Sequence, residues 1–314
     1  MYHLVSDEDR RHVSPLYRYK DPASFEADLV FLKEHFNLVG HAEIEAHRLE
    51  GAPLPPRAAS ITFDDGFVEC AEVARPILEK HGVPATFFVL TGVLDNQALM
   101  FRNTLALALD RIERAGDEEW QRWRGELSGL DLPSDSRDEL RRALRSLTCL
   151  DAEVAPPLCD LLEIDVDAYL RDERPYLTHE QVRDLHDAGF TIGAHTVHHP
   201  ELWLVDDPAS EIVESCRTIG ELTGAKSVPL AFPYNGLALP RAELRAIRDD
   251  HPEVGLLYDT NNLMHDVPFV VNRVDADPPP QVRGTTNLPT VLRRAHALEP
   301  LRRVKRWRRR SRSS

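Results

Sequence analysis

Cysteine is sparse in this chain, and no long apolar run occurs. The four cysteines (Cys70, Cys149, Cys159, Cys216) show no Cys-x-x-Cys spacing, which excludes a zinc knuckle and a dense disulfide framework and leaves ordinary thiols. No apolar stretch approaches the roughly 20 residues that a membrane-crossing helix requires. The opening Met1-Tyr2-His3-Leu4-Val5-Ser6-Asp7-Glu8-Asp9 lacks a basic start and a long apolar core. It therefore does not read as a secretory signal, and a cytoplasmic location is the expectation.

Basic charge is also in deficit, with 38 Lys and Arg against 52 Asp and Glu, a net −14 at pH 7. Eight of those basic residues fall between Leu301 and Arg312, a stretch without a single acid, so the rest of the chain is more acidic still. An acidic body argues against nucleic acid as a partner, because phosphate binding needs a positive footprint. The basic end, 301–314, is expected to be a solvated, disordered tail. An anionic membrane surface is the partner its charge would favour, placing the protein at the inner face of the membrane.

What is present is ordinary for a globular protein: 42% hydrophobic and 29% charged residues over 314 positions. That length suits one domain over 1–300, an α/β barrel carrying an insertion. Short runs rich in β-branched and aromatic residues predict strands at Tyr2–Val5, Asn37–Gly40, Ala59–Phe63, Ala85–Leu90, Phe190–Ala194, Leu230–Tyr234, Gly255–Tyr258 and Phe269–Val274. Helical patterns separate them. Ser24–Phe36 places Phe25, Leu29, Leu32 and Phe36 on one face; Val68–His81 stops at Gly82; a third helix opens at Thr178, with Gln181 three residues on, and ends by Gly189. Such alternation implies a parallel sheet, and seven or eight strands imply closure into an irregular barrel. From Asp95 to Pro175 the pattern turns charged, helical and strand-poor, predicting a helical insertion between two strands, either a lid over the site or a purely structural excursion.

Three strand ends carry chemistry. In Ser60-Ile61-Thr62-Phe63-Asp64-Asp65-Gly66 an apolar strand ends in adjacent carboxylates, whose side chains diverge, so that one can bind a metal and the other stay free as a base. Taken alone, Asp-Asp-Gly is an ordinary turn. In Gly193-Ala194-His195-Thr196-Val197-His198-His199-Pro200 three histidines crowd a strand end. The spacing of His195 and His199 lets two imidazoles converge on one ion, with His198 pointing away. In Leu230-Ala231-Phe232-Pro233-Tyr234-Asn235-Gly236 a rigid turn follows a strand, and a backbone N–H exposed there suits an oxyanion.

These motifs, in this order, resemble the polysaccharide deacetylase family, carbohydrate esterase family 4, whose shared unit is the NodB homology domain. Thr62–Gly66 matches its T-F-D-D-G, His195–Pro200 its H-[ST]-x-x-H-P, and Pro233-Tyr234-Asn235 departs from its P-Y-G at the last position. Tyr2-His3-Leu4-Val5 and Gly82-Val83-Pro84-Ala85-Thr86-Phe87-Phe88 are similar to segments of many members. The resemblance implies a distorted (β/α)7–8 barrel of the NodB type. It implies Asp64 as general base, Asp65, His195 and His199 as ligands of a divalent metal, and the Tyr234 N–H in the oxyanion site. The metal would be zinc, with cobalt, nickel and manganese as alternatives. The arginine that orients the base in many members is replaced here by Ala231, and Arg273 is the expected substitute. For the late [LIV]-x-H-D motif, Leu263-Met264-His265-Asp266 has the right letters, making His265 the expected acid. The implied activity is removal of an N-acyl group, acetyl above all, from an amino sugar in a glycan or a nucleotide- or lipid-linked precursor. A deformylase or other small-amide hydrolase, and a non-catalytic sugar-binding barrel, are the alternatives.

Overall fold

The computed structural model describes residues 1–277 and 287–310, with side chains as far as Glu299. Eight short strands lie in the order β1 (Asn37–Leu38), β2 (Ala58–Ala59), β3 (Ile61–Phe63), β4 (Ala85–Val89), β5 (Thr191–Ala194), β6 (Val228–Ala231), β7 (Val254–Asp259) and β8 (Val270–Asn272). Strands β3 to β8 form one all-parallel sheet in sequential order, while β1 and β2 pair separately. Every residue of β4, β6 and β7 is buried, as expected of parallel strands covered on both faces.

The sheet curls until its two edges share a partner. Tyr2 donates its N–H to Thr62 and accepts from Asp64 N–H at 3.0 Å, while Met1 donates to Val274 O at 2.7 Å and accepts from Ala276 N–H at 2.9 Å. Residues 1 and 2 thus bridge the edge at β3 and the chain beyond β8. The distorted α/β barrel expected from the sequence is present, but its main sheet has six strands among the described residues. Two of the eight predicted strands do not enter it. Tyr2–Val5 forms isolated bridges only, Tyr2 to Phe63 and Val5 to Lys20, and Asn37–Leu38 pairs off with Ala58–Ala59. The predicted Leu230–Tyr234 strand ends at Ala231, because Pro233 has no N–H to give a ladder.

Helix boundaries follow side-chain chemistry. Asp21 caps Pro22–His35 by accepting from Ser24 N, and Thr178 and Gln181 form a reciprocal capping box at the start of His179–Asp187. The segment predicted as one helix, Val68–His81, is a π-turn at Cys70–Ala74 that passes into Arg75–His81.

Between β4 and β5 the insertion builds a hydrophobic cluster of its own. Helix Phe101–Arg114 lays Leu105, Leu109 and Ile112 against Trp120 and Trp123 of Asp117–Leu127 and Leu140 and Leu144 of Arg137–Ser146. The last described helix, Leu288–Arg310, runs into the basic end over its first ten residues. Arg, Lys and Leu have good helix propensity, and no proline or glycine follows Pro300 to break it. Residues 311–314, and the basic side chains that would meet a membrane surface, lie outside the described residues. No described helix is long and apolar enough to cross a membrane.

Candidate active site

Strand β3 delivers both carboxylates. After Phe63 the chain turns through Asp65 (φ 70°) and Gly66 (φ 73°), two successive left-handed residues that send the side chains of Asp64 and Asp65 apart. Asp64 meets Arg273, just past β8: Nη1 donates to Oδ1 at 2.5 Å and Nη2 to Oδ2 at 2.8 Å, while Nη1 also reaches Thr62 Oγ1. All three side chains are buried, and the guanidinium is sandwiched over the Phe88 and Tyr258 rings. Burial works against the charge on Asp64, but Arg273, with smaller contributions from nearby groups, holds the carboxyl below its usual range. Arg273 thus occupies the place expected for it, supplying from the far edge the cation that Ala231 cannot.

Asp65 turns the other way. Its Oδ1 lies 3.3 Å from His195 Nε2 and 3.5 Å from His199 Nε2, and Tyr17 donates its hydroxyl to Oδ2 at 3.1 Å. His195 Nδ1 is 2.9 Å from Ala231 O; a carbonyl only accepts, so this nitrogen carries the proton and Nε2 presents its lone pair. The histidine loop is strained in the manner of a built site, with φ of 70° at Thr196 and 58° at His199. Two contacts hold it: His199 N–H donates to Thr196 Oγ1, and Glu211 accepts from the N–H groups of Val197 and His198. Gly92 lets the chain after β4 pass against this loop, since a Cβ there would come within 2.5 Å of Val197 O. His198 pairs with Glu211 and faces solvent, as its position in the motif suggested.

The donor set fits a cation. Asp65 Oδ1 and His199 Nδ1 are both buried without a hydrogen-bond partner among the described residues, and Asp65 Oδ1 faces the Nε2 atoms of both imidazoles. Burial brings the His199 imidazole down to about 4, favouring the neutral form that metals bind.

Tyr234 closes one side. It adopts φ 56°, its carbonyl accepts from Thr260 Oγ1 at 2.5 Å, and Asp259, buried at the end of β7, accepts from Gly236 N–H. Its ring lies 5.0 Å from that of His199. From the insertion, Arg102 donates to the Tyr234 hydroxyl at 2.7 Å and to Glu201 at 2.8 Å. These groups line a cavity of about 490 Å³ together with Met100, Leu105, Leu144 and Arg145 of the insertion. The insertion is therefore part of the site wall.

One predicted residue stays out and one unpredicted residue comes in. His265 is exposed and borders a different cavity, with Arg48 and His296, while its neighbour Asp266 is ion-paired to Arg241. Its loop precedes β8, and none of residues 261–268 lines the cavity that holds Asp64 and Asp65. In the cavity instead is His3, whose Nδ1 lies 2.7 Å from Asp277 Oδ2 and whose ring packs 4.6 Å from Tyr17. Burial opposes its protonation, but the Asp277 hydrogen bond and the charge of Asp65 raise it to about 10. The Tyr2-His3-Leu4-Val5 match was the available signal, although it carried no role for the histidine.

The profile of the polysaccharide deacetylase family matches residues 51–125 and 147–246, more than half of the chain. The chain belongs to the polysaccharide deacetylase family. Members are hydrolases of non-peptide carbon–nitrogen bonds that act on acetylated glycans, and both statements hold for this polysaccharide deacetylase. The gap in the match, 126–146, falls inside the helical insertion, which supplies Leu144 and Arg145 to the cavity. Solved structures share the fold at low identity. A Streptococcus pyogenes deacetylase, PplD, in complex with acetate, is 15% identical over 90% of this chain and 91% of its own, with a TM-score of 0.55. IcaB from Ammonifex degensii is 17% identical over 94% of both chains, also at 0.55. BC0361, a polysaccharide deacetylase from Bacillus cereus, is 14% identical over 94% of this chain and 67% of its own, at 0.55. No curated protein sequence matches the chain significantly.

Proposed function

We propose that this chain is a metal-dependent deacetylase that hydrolyses the N-acetyl amide of an amino sugar, with Asp64 as base and His3 as acid. The observation that carries this is the division of labour between neighbours: Asp65 Oδ1 faces the Nε2 atoms of two imidazoles without a hydrogen-bond partner, while Asp64 is gripped by Arg273 and kept off that focus.

Asp65, His195 and His199 would hold the ion, and zinc suits their two nitrogens and one oxygen. When bound, it supplies Lewis acidity toward the amide carbonyl and the attacking water. The chain's own groups do the rest. Asp64, ionised and fixed by Arg273, accepts the proton of the water. The Tyr234 N–H, in a turn fixed by Thr260 and Asp259, donates to the carbonyl oxygen as negative charge develops on it. His3, anchored through Nδ1 by Asp277, gives a proton from its other nitrogen to the departing amine. The carbon–nitrogen bond breaks, leaving the free amino sugar and acetate.

The test is acetate release from N-acetylchitotetraose and from charged N-acetyl sugars by zinc-loaded protein, beside Asp64→Asn. Release by the wild type and its loss in a variant that still binds zinc support the proposal. No release from any of these substrates, or undiminished release by Asp64→Asn, refutes it. Release of formate from N-formyl sugars in place of acetate would transfer the mechanism to a different acyl group.

A further inference from the structure

The insertion brings two arginines to the catalytic cavity, and they are not equivalent. Arg102 is fully engaged, bonded to the Tyr234 hydroxyl and ion-paired with Glu201. Arg145, at the end of helix Arg137–Ser146, lines the same cavity at its solvent edge and has no carboxylate within ion-pair distance among the described residues. Its side chain makes one long hydrogen bond among the described residues, Nη2 to Pro15 O at 3.4 Å. The backbone carbonyl of Arg145 accepts from Arg102, which fixes where this residue sits relative to Tyr234. Arg141, one turn earlier, is paired with Glu113 and adds a like charge on the same side. Glu113, the carboxylate whose charge reaches Arg145, is already taken by Arg141, so the exposed Arg145 guanidinium at the cavity edge keeps no ion-pair partner of its own among the described residues.

The surroundings say what. Leu16, Leu105, Leu109 and Leu144 make the adjoining wall apolar. An uncharged glycan pressed against that wall would desolvate the arginine and give it no anion in return, an unfavourable exchange. A phosphate or carboxylate would take two parallel N–H donors from the fork and make the same burial favourable. A cavity of about 490 Å³ has room for a sugar with such a substituent.

We propose that the substrate carries an anionic group, phosphate or carboxylate, close to the acetylated amino sugar, and that Arg145 binds it. This rests on the deacetylase reading of the same cavity and narrows its substrate class.

Calorimetric titration of the zinc-loaded protein separates the cases, with N-acetylglucosamine as the neutral ligand, N-acetylglucosamine 1-phosphate as the phosphate arm and N-acetylmuramic acid as the carboxylate arm. At least one anionic ligand should bind about tenfold or more tighter than the neutral sugar. Arg145→Gln should abolish that margin, and Arg145→Lys should keep part of it. Added salt should erode the wild-type margin, a readout that stands even where a variant fails to fold. Equal binding of all three ligands, or a margin that survives Arg145→Gln, overturns the proposal. Acetate release from N-acetylchitotetraose with no anionic margin overturns it and leaves the deacetylase reading standing. An anionic margin lost in Arg145→Gln, without acetate release from any ligand, supports Arg145 as the anion site and sinks the deacetylase reading instead.

Discussion

Arg273 grips both carboxylate oxygens of Asp64, at 2.5 and 2.8 Å, across the seam where the first and last strands of the curled sheet approach each other. The pair is 209 positions apart in sequence, so the curl of the sheet is what lets one set the geometry of the other. A lysine cannot reproduce a planar two-point grip. Arg273→Lys and Arg273→Gln should therefore lower kcat/KM by about 100-fold, as a misplaced base would. Zinc content should stay at one per chain. If zinc is lost in step with activity, Arg273 supports the ion's site and not the base.

The three proposed ligands and their neighbour His198 make a matched comparison. Asp65→Asn, His195→Ala and His199→Ala should each abolish stoichiometric zinc, measured by mass spectrometry of dialysed protein, and with it acetate release. His198→Ala removes an exposed side chain and should change stability by no more than about 0.5 kcal/mol, with zinc retained. Full zinc in His195→Ala would remove that residue from the set.

Proton donation by His3 matters in proportion to how poor the leaving group is. His3→Gln should slow amide hydrolysis by about 100-fold or more while leaving cleavage of an activated aryl acetate, whose phenolate departs unaided, within a few-fold of wild type. Asp277→Asn should shift both substrates in the same sense but less. His265→Gln should change neither, because that side chain borders another cavity. Equal losses on amide and ester would place His3 in binding or folding in place of acid catalysis.

The insertion stands on its own apolar cluster, so its disruption is a stability event first. Leu140 and Leu144 are fully buried there. Leu140→Ala should cost about 2–5 kcal/mol, seen as a lowered Tm or denaturant midpoint. Leu144 also touches the cavity, so Leu144→Ala should add a change in KM. An unchanged midpoint in Leu140→Ala would mean that the helices pack more loosely than described.

Asp266 gives a pH test away from the proposed metal site. Burial opposes its ionisation, but Arg241, together with the Val267 N–H and the charge of Arg48, lowers its carboxyl from the ordinary 3.8. A depressed folded value contributes stability above the unfolded value and loses it as the pH falls through the folded one. The Tm difference between wild type and Asp266→Asn should thus be present at pH 7 and shrink below about pH 4. A difference that grows on acidification would contradict the pairing.

Much of the site was legible because strand ends are local. Phe63-Asp64-Asp65-Gly66 and His195-Thr196-Val197-His198-His199 show their turn chemistry and ligand types in the sequence itself, and Arg273 was accessible as a cation at a strand end. His265 misled because four matching letters in a loop look the same wherever that loop points. His3 was passed over for the converse reason: its partner, Asp277, lies 274 positions away, and a histidine near the start of a chain carries no local mark of a cavity. Strand lengths failed at Tyr2–Val5 and Asn37–Gly40, where propensity was right and pairing partners were not.

The sequence by itself determined the parallel α/β architecture, the chemistry at two strand ends and the family to which they belong. Periodicity and motif spacing act over a few residues and survive being read one stretch at a time. The tertiary structure decided which charges meet: that Asp64 faces Arg273, that Asp65 faces two imidazoles, that His3 enters the cavity, and that the insertion leaves Arg145 at its edge with no ion-pair partner among the described residues. Those are contacts across the curl of the sheet, and Coulomb and hydrogen-bond energies depend on distance in space, which spacing along the chain does not supply.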